Sequence, residues 1–238
     1  MIHTYNEYRL GDNLVHLNYL RRACNENPSL EFTHHVNPAH IEQLTPLVED
    51  TSISLQGLNI PPGAHNAWIG RDNYFYQHPL QHDWVAFYLE WFDHLSNILE
   101  ISSPMACRED LLFDYPALNE PYEMDFDVLV INSAPSSGQL PDFNPQFFEK
   151  RVRELANQGL KVVTTAPTGM VSCTLDWGLD VTGIGAITKY CQHIEGVATG
   201  PVWTTFNIFN QNNILSRKFY CGHQTVNLTD NTTTINKL

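Results

Sequence analysis

Three short stretches place glycine, hydroxyl and acidic side chains where a strand hands over to a helix. The first is Arg9-Leu10-Gly11-Asp12-Asn13. A glycine there lets the backbone turn tightly and leaves room for a ligand, while the following helix start offers free amides and a positive dipole end. Asp12 is the one acid in that turn, and locally it suits a helix N-cap, worth about 1 kcal/mol. The second stretch is Ala198-Thr199-Gly200-Pro201-Val202-Trp203. Proline at the first helical position gives up an amide that would be unpaired anyway, and the remaining amides can point at a phosphate. Without a ligand the same residues make an ordinary helix capped by Thr199. The third, Ile131-Asn132-Ser133-Ala134-Pro135-Ser136-Ser137-Gly138, is rich in hydroxyls and glycine, and serves equally as a ligand-approaching loop or as a plain turn.

These stretches need strands before them and helices after them, and the pattern supplies both. Ile2 to Tyr8 reads as a strand, Gly11 breaks it, and Leu14, Leu17, Leu20 and Cys24 recur at helical spacing. Leu30 to His35 and Ile53 to Leu58 read as further strands around a short helix, Pro38 to Leu44, opened by its proline. Asn59 to Pro79 is irregular, and His82 to Leu99 returns to helical periodicity. The proline-rich, acidic region Ser102 to Glu123 is the expected connection, which gives domains 1–118 and 119–238.

A second alternation follows. Phe126 to Ile131 is a continuous apolar run, as in a parallel strand covered on both faces. Phe143 to Ala156 is helical, Gly159 stops it, and Lys161 to Thr165 is a strand. Leu179 to Thr182 reads as a strand, Ile184 to Ile194 as a helix, and Gly196 to Ala198 as a strand end before Pro201. Repeated β-α units in both halves predict an α/β protein of two Rossmann-like domains facing a cleft, with ligands at the strand C-terminal edges.

Composition narrows the partners. The 238 residues carry 13 Lys plus Arg against 26 Asp plus Glu, a net charge of −13, which is the reverse of a nucleic-acid footprint. No apolar stretch reaches the length of a membrane span and the N-terminus shows no secretory leader. Five cysteines without a C-x-x-C pair suit reduced thiols in the cytoplasm, so the N-x-T sequons at Asn227 and Asn231 are read as chance.

The segment RLGDNLVHLNYLRRACNENPSLEFTHHV, with its strand, Gly-Asp pair, helix and proline-containing turn, resembles the opening of the heptosyltransferase-type glycosyltransferases. LDVTGIGAITKYCQHIEGVATGPVWTTFN is similar to their donor-binding region, and the resemblance runs through both halves in the same order. It implies a GT-B-like fold and transfer of a sugar from a nucleotide-sugar to a glycan or other hydroxyl acceptor. Asp12 would be the base that takes the acceptor proton, with Arg9, Gly11 and Asn13 on the acceptor side. Ser133, Ser136, Ser137 and Gly138, together with Thr199, Gly200 and Pro201, would face the donor diphosphate. It implies no cofactor and no metal, since no D-x-D pair stands at the C-terminal end of a strand and amides can stabilise the departing diphosphate.

The 133–138 loop carries no lysine or arginine. That supports a rival, a GT-B-like binding or structural protein without turnover; a nucleotide-sugar epimerase or hydrolase is a third reading. His34, His35 and His40 complete no zinc pattern and fit partly exposed loop positions. Thr182-Gly183-Ile184-Gly185 is a weak dinucleotide signal, and Trp84, Phe87, Tyr88, Trp91 and Phe92 read as core and interdomain packing.

Overall fold

A computed structural model describes residues 1–70, 74–78, 83–135, 140, 142–222 and 227–235. The chain divides into two compact units, Met1–Tyr115 and Pro116–Leu238.

The first unit runs β1 (Ile2–Asn6), α1 (Leu10–Glu26), β2 (Phe32–Val36), α2 (Pro38–Leu44), β3 (Ile53–Gln56), β4 (His65–Asn66), α3 (Tyr74–Gln77), α4 (Trp84–Leu99) and α5 (Arg108–Leu111). Its four strands lie in the order β3-β2-β1-β4, all parallel. Strand β2 is buried at all five positions, as a central strand covered on both faces must be. Leu14, Leu17 and Leu20 of α1 are closed to solvent. On the same helix Tyr19 stacks on Phe92 of α4 at 4.9 Å and its hydroxyl meets that of Ser96 at 2.8 Å. Helix α2 begins where its proline predicts, with the Asn37 side chain accepting from the Ala39 amide. Asp83 caps α4 in the same way, accepting from the Ala86 amide.

The second unit contains β5 (Val128–Ile131), α6 (Pro145–Asn157), β6 (Val162–Thr164), β7 (Ser172–Cys173), α7 (Val181–Ile187), β8 (His193–Val197), α8 (Gly200–Thr204), β9 (Ser216–Tyr220) and β10 (Thr232–Ile235). The sheet order is β10-β9-β8-β5-β6-β7, again all parallel. Read from β7, this is the doubly wound order 3-2-1-4-5-6. Phe148, Val152 and Leu155 of α6 pack with Val128 and Val130 of β5, Val162 of β6, Val197 of β8 and Tyr220 of β9. The helix ends as expected, at Gly159 with φ of +83°. Glu195 of β8 is buried and held by both Nε and Nη2 of Arg151, at 2.6 and 2.8 Å.

Four expectations are corrected. His34 and His35 are buried in β2, not partly exposed in a loop: β1 and β3 pair with its two edges, and burial at all five positions shows that both of its faces are covered as well. The stretch from Asn59 to Pro79 contains β4 and α3, whose two and four residues are too few to show a period. Leu179 to Thr182 is no strand: the Asp180 side chain accepts from the amides of Thr182 and Gly183, both at 2.9 Å, and starts α7 there. The helix expected to reach Ile194 leaves α-geometry after Ile187, and β8 begins at His193. Gly183 and Gly185 are accordingly helical. A Cβ on Gly185 would lie 2.6 Å from Leu118 and 2.7 Å from Thr204, so this glycine serves close packing rather than a dinucleotide.

Candidate functional site

In each unit the strand order reverses once beside the first strand, and the parallel strands point all their C-terminal ends to one edge. In the first unit the reversal lies between β1 and β4, and in the second between β5 and β8. Crevices at such reversals are where open α/β sheets bind ligands.

The segment leaving β1 carries the Gly-Asp pair. Arg9 is the N-cap of α1, Leu10 and Gly11 are its first two residues, and Asp12 is the third. Gly11 is thus a buried helical residue and makes no turn, and Asp12 is not the N-cap. Instead the half-buried Asp12 carboxylate reaches back to accept from the Arg9 backbone amide, as an acid at that position does in a capping box. Burial pushes its pKa from 3.8 up to about 6, against the opposing pull of that hydrogen bond and of the Arg9 charge. Burial, with the Asp12 charge adding to it, also holds the Tyr88 hydroxyl of α4 well above its ordinary range, so it stays protonated.

Asn13 is closed to solvent, with both ends of its side chain engaged. Its Nδ2 donates to the Arg9 carbonyl at 3.0 Å, which leaves Oδ1 to accept from His34 Nε2 at 3.0 Å. His34 is therefore the Nε2–H tautomer, with Nδ1 accepting from the Thr4 hydroxyl at 2.9 Å. Beside it, His16 Nδ1 accepts from Asn6 Nδ2 at 2.8 Å. This polar layer ties the first turn of α1 to β1 and β2 from beneath.

In the second unit, Ile131 pairs with Gly196 in the β5–β8 register. The two strands therefore release Ser133 and the Thr199-Gly200-Pro201 turn side by side. The Ser133 hydroxyl lies 2.9 Å from that of Thr165, and Asn132 Oδ1 accepts from the Ala166 amide at 2.8 Å, fixing the loop after β5 to the one after β6. Thr199 is the N-cap of α8, yet its hydroxyl makes no cap bond and donates to the Val197 carbonyl at 3.4 Å. Gly200 is the first helical residue, so Pro201 stands second rather than first. Ser136, Ser137 and Gly138 lie outside the described residues.

Comparison with known proteins turns on this architecture. No family model matches the sequence, and no curated protein does. Solved structures do match. The E. coli heptosyltransferase WaaC with ADP superposes with a TM-score of 0.60 at 11% identity, over 98% of this chain and 90% of that one. WaaC with ADP-2-deoxy-2-fluoro heptose gives 0.56 at 10% identity, over 98% and 92%. A family 9 glycosyl transferase from Veillonella parvula gives 0.52 at 11%, over 98% and 85%. The fold is that of the heptosyltransferase-type glycosyltransferases.

Within this heptosyltransferase-type fold, several residues escaped the reading of short motifs. Arg217 of β9 is buried, donating to the Thr205 carbonyl at 3.0 Å and to Asn231 Oδ1 at 2.8 Å, and its guanidinium lies over the Phe206 ring. It anchors the segment following α8 to the sheet. A lone arginine in a strand has no periodic signature, and its partners stand at separations the sequence does not display. The histidine layer was missed for the same reason, although Phe32-Thr33-His34-His35-Val36 has the β-branched, apolar flanks of a buried strand.

Among the described residues no helix is long and apolar enough to cross a membrane.

The buried histidines predict a pH effect. Burial takes His34 from 6.5 down to about 3 and His16 well below 6.5. Both must be neutral in the folded unit, so their contribution is complete above 6.5 and is lost as pH falls toward the folded values. Urea unfolding at pH 7 and pH 4 should show the first unit losing stability on acidification. His34→Gln should flatten that slope, and an unchanged slope would mean that His34 is not held neutral.

Proposed function

We propose that this protein transfers a sugar from a nucleotide-sugar to a hydroxyl acceptor, with the acceptor on the first unit and the donor on the second. The observation that carries the reading is Asp12, an acid at the strand-reversal edge whose pKa of about 6 suits a base working near neutrality. Its carboxylate takes the acceptor hydroxyl proton, and the freed oxygen attacks the anomeric carbon. The bond to the diphosphate breaks with its electron pair leaving on the nucleoside diphosphate. Backbone amides of the Thr199-Gly200 turn and the Ser133 hydroxyl meet the charge that appears there. Asn13 and His34 hold the turn on which Asp12 sits. The similar WaaC structures are with ADP and an ADP-linked fluoro-heptose, so ADP-sugars are the first donors to try. The five free cysteines suit a reducing compartment such as the cytoplasm.

One observation favours a second reading, a binding protein without turnover. None of the segments leaving β5 to β9, residues 132–144, 165–171, 174–180, 198–204 and 221–231, contains lysine or arginine. A departing diphosphate would meet hydroxyls and amides there, not a side-chain cation. Product analysis with ADP-, GDP- and UDP-sugars, with and without glycoside acceptors, separates the readings. A glycoside product supports transfer, free sugar alone indicates hydrolysis, and a thermal shift with no product leaves the binding protein.

Donor placement has its own test. Gly200→Val puts a branched side chain at the first position of α8, where the donor phosphates are to approach. Overpacking there by about 1–3 kcal/mol should weaken nucleotide-sugar binding roughly ten- to a hundredfold while the protein stays folded. Unchanged affinity in a folded variant would remove this turn from the donor site.

A further inference from the structure

The strand reversal of the first unit carries a pair of aromatic rings that neither the hydrophobic core nor the proton transfer uses. Tyr8 leaves β1 and Trp68 follows β4, sixty residues later, and the two rings stack with centroids 3.7 Å apart and planes within 20°. Each is set by the same local device. Asn6 ends β1 and accepts from the Tyr8 amide at 3.0 Å, while Asn66 ends β4 and accepts from the Trp68 amide at 2.9 Å. Gly70 supplies the space that Trp68 occupies, since a Cβ at that position would lie 2.3 Å from its six-membered ring. Trp68 thus has Tyr8 on one face and its own loop close against its six-membered ring, whereas Tyr8 keeps 39% of its surface open. With one face against Trp68, the face that remains for a ligand is the opposite one, on a residue four positions before Asp12.

We propose that the outer face of Tyr8, backed by Trp68, is the platform on which a pyranose ring of the acceptor stacks, bringing one of its hydroxyls to Asp12. This rests on the reading of the first unit as the acceptor side. A pyranose has a face of C–H groups with slight positive character and a rim of hydroxyls. The negative face of an aromatic ring complements the first, and water and a carboxylate complement the second. A platform held from behind by a second ring, with its backbone pinned by a buried asparagine, presents that face without ordering cost when the sugar arrives.

Saturation-transfer NMR titrations with the methyl β-glycosides of glucose, galactose and N-acetylglucosamine test this, with adenosine as the stacking control. Tyr8→Ala should weaken the best glycoside about tenfold, Tyr8→Phe should keep wild-type affinity, and Gly70→Val, which displaces Trp68, should cause an intermediate loss. Melting temperatures confirm that the variants fold. Wild-type affinity in Tyr8→Ala, or failure of Tyr8→Phe to retain it, overturns the platform and leaves the acceptor reading standing. Preferential binding of adenosine to Tyr8 overturns it in favour of a nucleobase. Absence of signal from every glycoside in the wild type overturns both the platform and the acceptor reading.

Discussion

Asp12→Asn should remove sugar transfer while making the protein harder to unfold. An amide cannot take the acceptor proton, so turnover should fall by roughly 10²- to 10⁴-fold with donor affinity retained. The stability change has the opposite sign. In the folded chain the carboxyl titrates at about 6, against 3.8 when unperturbed. The folded state therefore holds a proton that the unfolded chain releases between those values, and stability declines as pH rises from 3.8 through 6 and stays reduced above it. At roughly 1.4 kcal/mol for each pH unit, the penalty at pH 7 is on the order of 2–3 kcal/mol, with the pull of the Arg9 amide already included in the pKa. Asparagine carries no such penalty. The variant should melt several degrees higher at pH 7 and show little gain at pH 4, where the wild-type carboxyl is protonated too. Calorimetry at both pH values, with turnover at pH 7, checks the pair. Wild-type turnover in Asp12→Asn refutes the base, and an unchanged melting temperature at pH 7 refutes the buried charge.

Gly196→Ala should be among the most damaging single-methyl changes in the second unit. Gly196 has φ of +151°, a conformation that residues with a side chain rarely adopt. It also pairs with Ile131 of β5 in the ladder. A Cβ there would lie 2.1 Å from the Ile131 carbonyl oxygen and 2.7 Å from the Ile131 nitrogen and carbonyl carbon, all backbone atoms that cannot swing aside. Backbone strain of about 1–3 kcal/mol and overpacking of about 1–3 kcal/mol together take a large part of the 5–15 kcal/mol typical of a domain. The strands forced apart are those that bring Ser133 beside the Thr199-Gly200 turn, so the fraction that still folds should bind nucleotide-sugar more weakly. Urea unfolding followed by a signal from the second unit measures the first effect. Stability within 1 kcal/mol of wild type would mean the two strands do not pass this closely.

Much of this architecture could be read along the chain because it is local. Pro38 and Asn37 set the start of α2, Gly159 the end of α6, and the apolar run to Ile131 the first strand of the second unit, each through interactions within a few residues. Such signals also fail locally. Leu179 to Thr182 looks like a strand until the Asp180 side chain takes two amides and turns it into a helix start. What no local pattern carries is which strands become neighbours. Sheet order sets Ser133 next to Gly200 across some seventy residues of chain and stacks Trp68 on Tyr8 across sixty. It also encloses His34 between Thr4, thirty residues before it, and Leu55, twenty-one residues after it. The ionisation of Asp12 belongs to the same class. The Gly-Asp pair announced a junction, but its proximity to Tyr88 of α4, which follows seventy residues later, and the burial that raises its pKa come from tertiary packing. Burial is a property of everything that surrounds a group, and short sequence spacings do not contain it.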